Sequence, residues 1–239
     1  MRDETYSYLI EQLGEPTLKR EVPTAVLNKY NGVVPDKLLS YWETEGFNQF
    51  KGGIYSTVNP EDWQGVVDDW IKGTVFEQFG RFYAISRGAF GRLSLFNPLI
   101  GATCTIYPEV GELRASSVAL REPKRITSSL LGLFAPDHER YSDVLDDQDK
   151  ALYTRALKRL GPLGWNEMYA FEPSRLLGGA PRLDNLVKVD AIVHCSLLRK
   201  LIDTPFVPFT DIGKALGVNC AELALEAIAE HKLKLARGA

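Results

Sequence analysis

The chain has 239 residues, of which 45% are hydrophobic and 25% charged, as expected for a globular protein with a proper core. Its formal net charge of −3 disfavours general nucleic-acid binding, which needs a basic surface, and suits a partner that is itself basic. No apolar run approaches the roughly 18 residues of a membrane span, and the polar start Met1–Glu4 has no signal-peptide region, so we expect a cytoplasmic protein.

The N-terminal part is predicted to begin with helices. Leu38, Leu39 and Trp42 lie at helical spacing, and Gly46 follows as the end of that helix. A further helix begins at Asn59–Asp62, which combines an N-cap asparagine, a proline at the first helical position and acids in the first turn. Its apolar stripe has the i, i+3, i+4, i+7, i+8 spacing and consists of Trp63, Val66, Val67, Trp70 and Ile71.

Short β-type runs follow this helix. They cover residues 82–85, 93–96 and 103–107 and are separated by turn residues, which predicts antiparallel hairpins on which the N-terminal helices pack. We interpret Gly88–Gly91 as a hairpin turn with Phe90 packed inward, because this glycine cluster is too short and too apolar to cradle phosphates.

The C-terminal part is predicted to be mainly helical. Residues 122–149 are rich in Pro, Gly and charge and are predicted to connect a first domain, 1–121, to a second, 150–239. One helical face carries Leu152, Ala156, Leu157 and Leu160, and another carries Leu186, Val189, Ile192, Val193 and Leu197. The fold class is therefore predicted as α+β, with N-terminal helices packed on an antiparallel β-meander and a mainly helical C-terminal lobe.

The sequence contains no recognisable catalytic constellation. None of the histidines, His138, His194 and His231, stands in a metal-ligand spacing, and no nucleophile elbow, P-loop or dinucleotide-binding motif is found. We interpret His194 as a core histidine that is satisfied by a hydrogen bond. The three cysteines form no CxxC pair and are expected to be reduced, mostly buried thiols. We therefore predict a protein that is not an enzyme and needs no metal or cofactor.

Acidic residues cluster at Asp143, Asp146, Asp147 and Asp149. Three interpretations remain open for this cluster: a Mg²⁺ site, a docking patch for a basic partner, or a solvated helix start. The last is favoured, because the acids precede the apolar stripe that begins at Leu152.

The segment Asp211–Asn219 resembles the first helix and turn of a helix-turn-helix. The recognition helix would then run from Cys220 to Ile228 and would present Glu222 and Glu226 to the phosphates without a neighbouring cation. A helical hairpin that packs on the body is therefore the better interpretation, and a DNA-binding or regulatory protein is kept as the alternative function.

Two stretches resemble a known pair of domains. The first, from about Leu13 to Ser117, resembles the GAD-like domain, and the second, from about Ala156 to Leu201, resembles the domain of unknown function that usually follows it. The residues that carry the first resemblance are Lys29-Tyr30, Val34 to Trp42, Glu45-Gly46, Val58 to Pro60, Trp63, Trp70 and Ala89 to Gly91. The second is carried by Leu160-Gly161, Leu163-Gly164, Glu167 to Tyr169, Phe171, Pro173, Leu177 to Gly179, Lys188 to Asp190 and Val193-His194.

Proteins of this pairing include type VI secretion immunity proteins that protect against DNase toxins. The resemblance therefore implies a cognate nuclease toxin as protein partner, with no direct nucleic-acid or membrane binding, and leaves the oligomeric state open. Because a nuclease cleft is expected to be basic, acids on predicted loops and helix starts are the candidate contacts. These partner-binding residues are Glu109, Glu112, Asp143, Asp146, Asp147 and Asp149.

Overall fold

A computed structural model describes residues 2–115 and 143–207, together with Glu226 and Ala229. The two described segments form an α+β fold, as predicted. Their helices are α1 (Glu4–Leu13), α2 (Thr24–Tyr30), α3 (Asp36–Glu45), α4 (Pro60–Ile71), α5 (Tyr153–Leu160) and α6 (Ala191–Lys200). Their strands are β1 (Leu18–Arg20), β2 (Phe47–Phe50), β3 (Tyr55–Thr57), β4 (Tyr83–Gly88), β5 (Leu93–Asn97), β6 (Gly101–Tyr107), β7 (Glu112–Ala115), β8 (Glu167–Phe171) and β9 (Leu186–Asp190).

Helix α4 is the helix that the cap at Asn59 predicted. The Asn59 side chain accepts a hydrogen bond from the backbone N–H of Glu61, and Pro60 is the first helical residue. The helix ends at Ile71, and its whole apolar stripe is buried in one hydrophobic cluster with the sheet. The N-cap and the apolar stripe both predicted a helix at this position, and the structure confirms it.

Strands β1 to β7 form one antiparallel sheet in sequential order, which confirms the predicted meander. The predicted runs correspond to β4, β5 and β6. Strands β1, β2, β3 and β7 were not predicted, and β2 and β3 carry the polar residues Asn48, Gln49 and Ser56 in the interior, which hides their strand pattern. The turn from Gly88 to Gly91 is confirmed as well, with Phe90 buried against the ring of Phe171.

The second predicted helix of the C-terminal lobe is wrong in its first half. Leu186–Asp190 is strand β9, which pairs with β8 in a two-stranded antiparallel sheet, and α6 begins only at Ala191. The Asp190 side chain caps α6 by accepting a hydrogen bond from the backbone N–H of Val193. A strand that runs directly into a helix places its apolar residues at spacings that also fit one long helix, which explains the error.

The two described segments share their hydrophobic core. One cluster combines Trp70 and Leu113 with Met168, Cys195 and Leu198, and a second combines residues of α1 and β3 with residues of α5 and β8. The predicted connection, 122–149, lies outside the described residues as far as residue 142, so its boundaries stay a prediction. Among the described helices, none combines the length and apolar character needed to cross a membrane.

Candidate partner-binding surfaces

The aspartates in front of α5 build a structured loop. One oxygen of the Asp143 carboxylate accepts hydrogen bonds from the backbone N–H groups of Leu152, at 3.1 Å, and Tyr153, at 2.8 Å. These are N–H groups at the start of α5, which have no partner within the helix. Asp143 therefore caps the helix, and the interpretation of the cluster as a helix start is supported at this position.

Asp146 is largely buried in the same loop. Its Oδ1 accepts hydrogen bonds from the backbone N–H groups of Gln148 and Lys150, both at 2.9 Å, and its Oδ2 pairs with the Arg155 guanidinium. The hydrogen bond from Arg155 is the largest cause that lowers the pKa of Asp146 to about 2. Asp147 forms an ion pair with Arg182. Local arginines therefore balance two of the aspartates, and the exposed carboxylates of the cluster are those of Asp147 and Asp149.

A Mg²⁺ site is the second interpretation of the aspartate loop. Within residues 2–115 and 143–207 no three His, Cys, Asp or Glu side chains are grouped so that they could hold a metal ion. The Asp143 and Asp146 carboxylates instead accept hydrogen bonds from backbone N–H groups.

Glu109 lies in the interior and not on the exposed turn that the sequence suggested. It sits in the 3₁₀ turn Pro108–Val110 with 4% of its surface exposed, and its Oε1 is 3.0 Å from the Nε2 atom of His194 on α6. The turn is buried because α6 and the 3₁₀ turn Arg175–Leu177 both pack against it. The predicted hydrogen bond of His194 is present, with Glu109 as its partner, but His194 is half-buried at the edge of the core and not inside it.

Glu112 begins strand β7 and is half-buried. Its carboxylate lies 2.6 Å from the Nε atom of Arg114, whose guanidinium stacks over the Tyr107 ring. Glu109 and Glu112 are thus placed at the end of the seven-stranded sheet, whereas the four aspartates precede α5. The six predicted residues therefore lie in two places, and Glu112 and Asp147 both form ion pairs with a nearby arginine.

Arg87 on β4 joins the two described segments. It was not among the predicted site residues. Only 1% of its surface is exposed. Its guanidinium donates hydrogen bonds to the backbone carbonyls of Glu167 and Trp165, both at 2.8 Å, and of Gly164, at 3.2 Å. Burial lowers the pKa of Arg87 to about 10, so the group stays charged at neutral pH. No feature of the sequence marked Arg87, because it follows the predicted run 82–85 and stands between Ser86 and Gly88, where a turn was expected.

Helix α6 is held against α4 by polar contacts as well as by the core. The indole Nε1 of Trp70 donates to the backbone carbonyl of Cys195 at 3.1 Å. On the same side, Arg199 donates to the carbonyls of Asp69, at 2.8 Å, and Ile202, also at 2.8 Å. The buried side of α6 is therefore fixed to α4 by one hydrogen bond that α4 donates and one that α6 donates.

The outer side of α6 carries exposed apolar residues. Val193 is 58% exposed, Leu197 53% and Leu201, which directly follows the helix, 48%. We call these three residues the α6 face. Val193 and Leu197 were predicted to share one helical face with Leu186 and Val189, but the side of α6 that faces the core carries Cys195 and Leu198.

Two more exposed apolar side chains lie on elements around the same turn. Leu177 belongs to the turn that packs on Pro108–Val110, and the backbone N–H of Phe206 donates to the carbonyl of Gly111 at 2.9 Å. Exposed apolar residues are normal one at a time, whereas a group of them marks an interaction surface. The surroundings of Pro108–Val110 are therefore the stronger candidate for partner binding.

Comparison with known proteins identifies two domains. Residues 4–109 match the GAD-like domain, and residues 129–202 match the C-terminal domain of the T6SS immunity protein Tdi1. The order agrees with the resemblance seen in the sequence, and α6 lies within the second match. None of the curated proteins compared with the chain matches it.

A solved structure supports the fold. The crystal structure of Atu4351 from Agrobacterium tumefaciens is similar with a TM-score of 0.77 and 23% sequence identity, and the match covers 86% of this chain and 92% of that chain. At this identity the likeness shows a shared fold.

Proposed function

Because the chain joins a GAD-like domain to a T6SS immunity protein Tdi1 C-terminal domain, we propose that it binds and neutralises a DNase toxin of a type VI secretion system. The second match carries the proposal and supports a type VI immunity role. Acting in the cytoplasm, the protein protects the cell that produces it from its own and its neighbours' toxin. Both matches point to a protein that is not an enzyme, so inhibition rests on binding alone.

The charge distribution suits this role. A DNase holds a polyanion and therefore has a basic cleft, towards which an acidic inhibitor is steered. Acidic residues outnumber basic ones in residues 2–115, whereas the two balance in residues 143–207. The excess negative charge of the described residues thus lies on the N-terminal segment. In the second segment, Asp147 and Asp149 present exposed carboxylates to a basic partner.

The alternative, a DNA-binding or regulatory protein, rests on Asp211–Ile228, which lies outside the described residues except for Glu226. Glu226 is helical and exposed, and an exposed acid in a recognition helix repels phosphate. Among the described residues, no observation favours this function.

Co-expression with a candidate nuclease toxin, sought first in the neighbouring reading frame, tests the proposal. We expect the protein to restore growth that the toxin abolishes, and to bind the toxin with nanomolar or tighter affinity, because a few toxin molecules suffice to kill. A catalytically inactive toxin serves as the growth control. Cells that die although both proteins are present, or a purified pair that does not associate, would contradict the proposal.

Charge reversal tests whether the aspartate loop contributes to steering. We expect the double variant Asp147→Lys/Asp149→Lys to associate with the toxin about 3- to 10-fold more slowly at low salt, because rim charges act mainly on the association rate. The matched control is the double variant Glu4→Lys/Glu11→Lys, which makes the same charge change on the exposed side of α1. Stopped-flow rates that equal the control's at low salt would remove the loop from the interface.

A further inference from the structure

Three buried polar side chains form a row across strands β2, β3 and β4. Gln49 on β2 is paired with Ser56 on β3, and Ser56 is paired with Arg87 on β4. Residues that lie directly opposite each other in antiparallel strands point to the same face of the sheet, so the three side chains are neighbours. Each has at most 1% of its surface exposed. We call these three residues the polar row.

The two long side chains of the polar row meet at one atom. The backbone carbonyl oxygen of Gly164 accepts a hydrogen bond from the Gln49 amide at 3.4 Å and from Nη2 of Arg87 at 3.2 Å. Ser56 lies between these two residues and has a much shorter side chain. The row is therefore long, short, long, and a space remains above Ser56 that the Gly164 carbonyl closes from the other side.

The loop that carries this carbonyl is held firmly on the sheet. The backbone N–H of Leu163 donates to the carbonyl of Gly52 at 3.0 Å, which ties the loop to the turn between β2 and β3. The backbone N–H of Gly164 donates to the Glu167 carboxylate at 2.7 Å. The second described segment thus covers the polar row, while the row itself belongs to the first segment.

Each side chain of the polar row has one polar atom without a hydrogen-bond partner among the described residues. These atoms are Oε1 of Gln49, Oγ of Ser56 and Nε of Arg87. The Nε–H group lies on the same edge of the planar guanidinium as Nη2, so it points towards the Gly164 side of the row. Because Nε2 of the Gln49 amide is engaged by the Gly164 carbonyl, Oε1 needs a separate donor. Leaving buried polar atoms unpaired is costly, and proteins satisfy nearly all of them.

The chemistry of the three atoms selects the ligand that can satisfy them. Oε1 of Gln49 can only accept a hydrogen bond, Nε of Arg87 can only donate one, and the Ser56 hydroxyl can do both. A metal cation would be repelled by the guanidinium and could not accept from its N–H group. An anion could not donate to the amide oxygen. A water molecule donates and accepts, and about three hydrogen bonds are typical of a buried water.

We propose that the polar row binds one buried water molecule. The water accepts a hydrogen bond from Nε of Arg87, donates one to Oε1 of Gln49 and forms a third with the Ser56 hydroxyl. Because the loop around Gly164 covers this site, the water exchanges with solvent only when the second described segment opens from the sheet. The contact between the two segments is therefore partly hydrated and not purely apolar.

A high-resolution crystal structure of the full-length protein tests the proposal directly. We expect one electron-density peak within about 2.7–3.2 Å of all three atoms of the polar row. A structure without a peak at this place overturns the proposal. So does a Gln49 amide that is turned so that its oxygen accepts directly from Nε of Arg87, because the two atoms then satisfy each other.

Oxygen-17 magnetic relaxation dispersion tests the same site in solution, since it counts water molecules that stay bound longer than the protein takes to tumble. We expect Ser56→Val to lose one long-lived water, because its methyl groups fill the space above the strand. Ser94→Val is the matched control, as it changes a buried serine of β5 outside the polar row, and should keep the wild-type count. An unchanged count in Ser56→Val contradicts the proposal, and if this variant does not fold, the wild-type crystal structure decides alone.

Discussion

Replacing Arg87 with methionine is expected to lower the free energy of unfolding by roughly 3–5 kcal/mol. Methionine fills much of the same volume but donates no hydrogen bond. The partly buried carbonyls of Trp165 and Glu167 would then lose the donor that Arg87 gives them, whereas the Gly164 carbonyl keeps the Glu167 N–H and the Gln49 amide. An unsatisfied buried acceptor costs about 1–3 kcal/mol, and the lost packing of the arginine stem is small beside that cost. Urea denaturation measures the difference.

The matched control is Arg81→Met, which changes the same residue type at an exposed position before β4 and is expected to stay within about 0.5 kcal/mol of the wild type. The free energy of unfolding of Arg87→Lys should lie between those of the two methionine variants. Lysine keeps the charge but loses the planar guanidinium that reaches three carbonyls. If Arg87→Met unfolds at the same urea concentration as Arg81→Met, the packing of the two described segments on each other does not depend on the Arg87 side chain.

The fold could be predicted where several local signals agreed. The N-cap at Asn59, the proline after it and a complete apolar stripe all predicted α4, and the structure confirms each of them. At Leu186–Leu197 the apolar spacing predicted one helix, but the residues form two elements, because strand β9 runs into α6 at Asp190 without a loop. Local spacing cannot separate these cases, since the pairing of β9 with β8 decides between them.

The candidate surface was harder to predict than the fold. Glu109 stands in a turn sequence, which usually means exposure. It is buried because α6, whose His194 is 85 residues away along the chain, packs on that turn. Val193 and Leu197 are apolar and stand next to buried residues, yet they point outward. Which side of a helix faces the core depends on its tertiary neighbours, here α4 and the sheet. Exposed apolar residues of a helix therefore look like core residues in the sequence.

Trp70 is the residue whose loss should most directly release α6 from the body. It is fully buried in the cluster that contains residues of α4, the sheet and α6, and its indole donates to the Cys195 carbonyl. We expect Trp70→Ala to destabilise the protein by about 3–5 kcal/mol, the usual cost of removing a large aromatic side chain from a packed core. Thermal or urea denaturation measures the total effect, and Trp165→Ala, at a half-buried tryptophan, is the control for the change of residue type.

Hydrogen exchange distinguishes a specific role of Trp70 at α6 from a general loss of stability. Trp70→Phe keeps most of the packing and loses the hydrogen bond to Cys195, so it should cost about 1–2 kcal/mol and speed amide exchange in α6 more than in β5. Equal acceleration in both elements would contradict a local role.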